Sequence, residues 1–214
     1  MKGQSVKVAV RIRPLHDGDL EQDSNICIGA IRRNKQIVAG SDTAFTFDHV
    51  FDDTTQQTQI YDECVQDLVN ATFEGFNATI LAYGQTGSGK TWTMGSASDS
   101  TITEGNFGII PRVINNLFDM INEKEELDSS STYKVHVQFL EIYGEEVRDL
   151  LDQTKTAKVA IRETADGELF ISGAKEEFVG SFEEMMKTLD DGTKNRSTAA
   201  TKMNLTSSRS HGKA

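Results

Sequence analysis

Residues 84–91 fill every fixed position of the phosphate-cradling pattern G-x-x-x-x-G-K-[ST], in the order Gly84, Gln85, Thr86, Gly87, Ser88, Gly89, Lys90, Thr91. Few architectures accommodate such a loop, because it holds phosphate only when seated between a buried strand and the helix that follows. The glycines let the backbone curl so that successive N–H groups point inward at phosphate oxygens, in conformations that a Cβ resists. Lys90 then reaches the β and γ phosphates, and Thr91 offers its hydroxyl to a Mg²⁺ ion. The helix expected to begin here adds its positive dipole end to the same anion. The competing reading is a glycine-rich turn that matches by accident.

The flanks count against accident. Residues 77–83, Asn-Ala-Thr-Ile-Leu-Ala-Tyr, form a short and mostly apolar run without polar alternation, as expected of a strand covered on both faces. Helical residues follow from Lys90 to Met94, until Gly95 interrupts them.

At 214 residues the chain suits one domain with a sizeable core. Its 37% hydrophobic and 26% charged content fits a globular protein, and no apolar run approaches the roughly 18 residues of a membrane span. The amino end shows no apolar signal core, so a cytosolic or nuclear protein is expected. Cys27 and Cys64 have no C-x-x-C spacing and no histidine cluster around them, which supports neither a disulfide framework nor a zinc site. The net charge of −11 is uneven: residues 1–40 carry +3, residues 194–214 carry +5, and the middle holds −19. An acidic body argues against a broad nucleic-acid footprint, and the basic end suits either an acidic partner or a solvated segment.

Along the chain, Val6, Val8, Val10 and Ile12 alternate with polar or small residues as a strand that Pro14 ends. The aromatic patches 45–47 and 50–51 precede Thr54 and Gln57, whose spacing is that of a capping box and predicts a helix start. Its apolar face is supplied by Ile60, Cys64, Leu68 and by Val65, Val69, Phe73, and Gly75 ends it. A second helix is expected with Pro111 in its first turn and with Ile114, Leu117, Phe118 and Ile121 on one side, giving out over 123–131. Tyr133, Val135, Val137 and Phe139 alternate as one long strand, followed by a short helix over 145–151. Strands at 158–162 and 169–172 flank Asp166-Gly167, a hairpin dipeptide. Ser181 and Glu184 form a capping box for a helix reaching Asp190, and another helical stretch covers 194–203. Strands alternating with helices around a phosphate loop imply an α/β fold with a mainly parallel central sheet flanked by helices.

A phosphate loop does not say what hydrolysis is used for; other local patterns decide. The segments Val10-Arg11-Ile12-Arg13-Pro14-Leu15, Phe45 to Phe51, Ala82 to Met94, Gly108-Ile109-Ile110-Pro111-Arg112, Glu141-Ile142-Tyr143 and Asn204 to His211 resemble, in order and spacing, the kinesin motor domain. The resemblance covers the chain to His211, and the acidic insert and loop lengths look closest to the chromosome-associated branch of that family. It implies a P-loop NTPase fold and a microtubule motor that binds ATP with Mg²⁺ and couples hydrolysis to movement. The implied partner is tubulin, with no membrane and no direct nucleic acid, in the cytoplasm on the cytoskeleton or in nuclear and spindle association. Oligomerisation would run through a coiled coil downstream of this chain.

The resemblance also implies roles. Arg11, Arg13 and Pro14 match the adenine-side element, where a guanidinium and a pyrrolidine ring pack on a flat base; by themselves they read as a strand end with solvated arginines. Trp92 stands where the family often places an aromatic or histidine against the base; alone, it reads as core. The run 204–211 looks like switch I. Asn204, Ser207 and Ser208 would bond the phosphate, the magnesium shell and the attacking water, with Ser208 beside Thr91 at the metal. Arg209 would pair with an acidic residue of switch II. Glu141 reads as structural.

The family pattern continues into switch II, most of the microtubule face and the neck, whereas this sequence departs at Gly212-Lys213-Ala214. The expectation is therefore a partial motor domain spanning 1–214, incomplete at its C-terminal end. The other reading is a truncated product that binds nucleotide or partners without motor activity.

Overall fold

The computed structural model describes residues 6–15, 26–95, 104–152, 154, 159–167, 169–203 and 211–213. The chain divides into two compact units, one drawn from residues 1–93 and 104–109 and the other from 94–103 and 110–214.

In the first unit, β1 (Ala9–Arg11) pairs in parallel with β5 (His49–Phe51), Arg11 lying opposite Phe51. Between them β2 (Ile28–Ile31), β3 (Gln36–Ala39) and β4 (Thr43–Thr46) make an antiparallel meander. The alternation at 6–12 predicted a longer strand than the three residues that pair. The meander went unread, because its apolar positions are interrupted by Arg32, Arg33 and Lys35, the last a left-handed residue (φ 53°) that turns β2 into β3.

Two consecutive helices follow, α1 (Gln57–Cys64) and α2 (Gln66–Thr72), joined at Val65. Ile60, Val65 and Val69 of the predicted apolar face are buried, with Tyr61 and the strand residues Val50 and Phe51. The cap is displaced from the predicted Thr54–Gln57 pair to Gln56 and Gln59, the Gln56 N–H donating to Gln59 Oε1 at 3.3 Å. Thr54 is occupied elsewhere, since its hydroxyl donates to Asp52 Oδ1 at 2.8 Å.

Residues 77–83 form no strand and join no ladder among the described residues, and Leu81 and Tyr83 are 75% and 95% exposed. The strand covered on both faces that was expected ahead of the loop is therefore not formed. The loop 84–89 then leads into α3 (Lys90–Met94), with the predicted bounds.

In the second unit, α4 (Ile109–Leu127) buries Ile114, Phe118 and Ile121. It runs on through the charged residues predicted to end it, because Glu and Lys are good helix formers on an exposed face. The long strand expected at 133–139 is divided into β6 (Val135–Val137) and β7 (Leu140–Tyr143). The helix expected at 145–151 is instead β8 (Glu146–Asp149), paired antiparallel with β7 around Gly144 (φ 62°). The hairpin β9 (Ala160–Glu163) and β10 (Leu169–Ser172) forms as read, with Ser172 opposite Ala160.

β11 (Glu177–Val179) pairs with β6. Next comes α5 (Phe182–Met203), one helix where two stretches were expected. Ser181 caps it, its hydroxyl accepting the Glu184 N–H at 3.2 Å while Glu184 accepts the Gly180 N–H at 2.8 Å. β12 (His211–Lys213) pairs antiparallel with β7.

Candidate functional site

The loop at 84–89 owes its shape to glycine. A Cβ on Gly84 would lie 2.5 Å from Ser88 Oγ, so a side chain there collides with the loop's own far limb. Gly89 takes φ 92°, a left-handed conformation that L side chains rarely adopt, at the point where α3 begins. The Ser88 N–H donates to the Gln85 carbonyl at 3.2 Å, and the Thr93 N–H to the Gly89 carbonyl at 2.9 Å, opening the helix.

Lys90 folds back over this curl. Its Nζ donates to the carbonyls of Gly84 at 2.7 Å and Gln85 at 2.8 Å, which puts a cation at the mouth of the loop. An ammonium on a flexible stem held beside inward-curling backbone can exchange carbonyl partners for phosphate oxygens. Thr91 and Trp92 follow on α3, both exposed.

Arg11 enters from β1. Its Nη1 donates to Gln57 Oε1 at 2.8 Å and to Thr93 Oγ1 at 2.9 Å, and its Nη2 to the Thr55 carbonyl at 3.3 Å. Burial pulls the guanidinium below the ordinary arginine value. Gln57 and Thr55 are both buried, and Gln57 Nε2 donates to the Trp92 carbonyl at 2.6 Å. Arg13, half-buried, and Pro14, exposed, lie beyond the strand end, with Arg13 Nη1 donating to the Pro14 carbonyl at 3.3 Å.

The structure therefore brings Arg11, Gly84 to Gly89, Lys90 and Trp92 into one unit. Asn204, Ser207, Ser208 and Arg209 lie outside the described residues. Sequence reasoning missed Thr55, Gln57 and Thr93, because Gln57 was assigned to a cap. Nothing local set Gln57 apart, since residues 54–59, Thr-Thr-Gln-Gln-Thr-Gln, are all polar.

The family model of the kinesin motor domain matches residues 11–212. The chain belongs to the kinesin motor domain family. It is 43% identical over 226 aligned residues to the kinesin-like protein KIF21B of Mus musculus, covering 99% of this chain and 14% of that protein. With the kinesin-like protein KIF27 of Mus musculus it shares 44% identity over 207 residues, covering 96% of this chain and 15% of the relative. The solved structure of a fast kinesin superposes with a TM-score of 0.84 at 32% identity, over 97% of this chain and 58% of the other. This kinesin chain thus spans about one seventh of the length of those curated relatives. Its fold is the α/β phosphate-loop fold of a kinesin motor domain, in which the β1–β5 pair is parallel. The relatives carry KIF21 and KIF27 names, and membership is established for the family, not for its chromosome-associated branch.

Proposed function

We propose that this chain is the nucleotide-binding part of a kinesin motor domain that binds Mg-ATP at the loop 84–91 and, with the rest of the motor, couples hydrolysis to movement along microtubules. The observation that carries the reading is the Lys90 ammonium held over a glycine-shaped loop, in a chain matched to the kinesin motor domain over residues 11–212. Lys90 would neutralise the β and γ phosphates, and backbone N–H groups of the loop would bind them.

A Mg²⁺ ion bound with the nucleotide would take phosphate oxygens and the hydroxyls of Thr91 and Ser208 as ligands. When bound, the ion would neutralise charge that develops on the phosphates. Trp92 and Pro14 are exposed and Arg13 is half-buried, and these three with Arg11 would receive the base. Asn204, Ser207 and Arg209 are assigned the switch I roles that the resemblance implies.

The partner is an acidic filament, tubulin, met through the complete motor, with cytoskeletal localisation extending to nucleus or spindle, and with oligomerisation through a coiled coil downstream of this chain. No described helix is long and apolar enough to cross a membrane. The reading is tested by titrating Mg-ADP into the chain and its Lys90→Ala variant. Binding that disappears in the variant is expected; equal affinity in both would remove the site from this loop.

A further inference from the structure

Arg11 and Gln57 do something the phosphate loop alone does not explain. Gln57 is buried at the start of α1, yet both ends of its amide are engaged: Oε1 accepts from Arg11 at 2.8 Å, and Nε2 donates to the Trp92 carbonyl at 2.6 Å. Arg11 closes the ring by donating to the Thr93 hydroxyl at 2.9 Å, and it also reaches back to the Thr55 carbonyl. Three elements, β1, α1 and α3, meet at one guanidinium and one amide. The partners on α3 are the Trp92 carbonyl and the Thr93 hydroxyl, on the two residues after Thr91.

We infer that Arg11 and Gln57 are positioning residues: they fix the direction in which α3 leaves the loop, and thereby the placement of Lys90 and Thr91. The Nη atoms of Arg11 are committed in the plane of the guanidinium to Gln57, Thr93 and Thr55, which ties β1 to α1 and α3. A helix of five residues has little stability of its own, so its orientation must come from tertiary contacts. Such contacts are strong when one partner is charged and the site is shielded from water. The inference rests on the nucleotide reading for its consequence, but the link itself is visible without nucleotide, because Trp92 is the only tryptophan in the sequence.

The test compares Gln57→Glu and Thr93→Val in the 214-residue chain, with Mg-ADP as the probe. Gln57→Glu keeps an acceptor for Arg11 and removes the donor to the Trp92 carbonyl; Thr93→Val removes the acceptor on the next residue. Both variants are expected to melt near the wild type, to shift Trp92 emission and its acrylamide quenching without ligand, and to weaken Mg-ADP at least about tenfold. Unchanged emission and affinities within about twofold of wild type would overturn the inference. Loss of folding in both variants would also overturn it, since the link would then hold the domain together and not aim the loop. A wild-type chain that fails to bind Mg-ADP, or a Lys90→Ala variant that binds equally, defeats the nucleotide reading instead, and the emission of Trp92 still decides the link.

Discussion

Arg196 on α5 donates its Nε to Glu141 Oε1 on β7 at 3.2 Å, across a carboxylate side chain that is 4% exposed and an arginine side chain that is 32% exposed. A buried charge of this kind is tolerated because it is paired, and removing the partner strands it in a low-dielectric surrounding. Arg196→Ala is therefore expected to cost about 2–3 kcal/mol, below the usual range for a fully buried pair because one partner meets solvent. Glu141→Gln keeps an acceptor without a charge and should cost about half as much. Urea unfolding midpoints measured on both variants check the order; an Arg196→Ala midpoint equal to wild type would show that the pair contributes nothing.

The same strand shows what could be read in advance. Glu141 was legible as structural, and the loop 84–91, the bounds of α3, the hairpin around Gly167 and the Ser181 cap all follow from local chemistry: a glycine conformation or a short side-chain hydrogen bond. What failed depended on long-range pairing. Val147, Leu150 and Leu151 satisfy helical spacing, but pairing of Ile142 with Val147 across Gly144 makes the segment a strand. In the site, the adenine-side roles of Arg13 and Pro14 rest on the family resemblance alone, and the hydrogen bonds of Arg11 to Gln57 and Thr93 were not legible locally. Those residues are 46 and 82 positions away in sequence and meet only after β1 and α3 are assembled.

Gly192 lies within α5, where alanine is ordinarily the better helix former by about 1 kcal/mol. Here a Cβ would collide with the Phe139 ring, with Cε1 at 3.0 Å, and would press on Leu151 Cδ2 at 3.4 Å. Both neighbours are buried and cannot swing away. Gly192→Ala is expected to lower stability by about 1–3 kcal/mol despite the gain in propensity. Chemical denaturation reads the sign directly, and a stabilised variant would show that α5 moves off Phe139 at little cost.

Gly84 offers a similar test at the loop itself. Its Cβ would meet Ser88 Oγ at 2.5 Å and Ser88 Cβ at 3.2 Å, so Gly84→Ala should open the curl and weaken Mg-ADP by about tenfold or more. Ser88→Ala removes the nearer of those two atoms. The double variant is expected to recover part of the affinity, measured by calorimetric titration. A Gly84→Ala chain with wild-type affinity would mean that the limbs of the loop separate freely.

Cys64 and Cys27 should differ in reactivity for a physical reason. Cys27 is exposed, whereas burial pushes the Cys64 thiol up to about 11, with Glu63 adding to the rise and Lys7 opposing it. The thiolate is the reactive form, so at pH 8 iodoacetamide is expected to label Cys27 first and Cys64 many times more slowly. The raised value also sets a sign for stability. The folded chain favours the neutral thiol, so this contribution is fully present below the ordinary thiol value of 9.0 and is lost as pH rises towards about 11, where the unfolded chain ionises first. A Cys64→Ala variant should therefore lose less stability than the parent between those two pH values. Mass spectrometry of the labelling time course, with urea midpoints at pH 8 and pH 10.5, checks both statements; equal labelling rates would show that α1 opens often enough to expose Cys64.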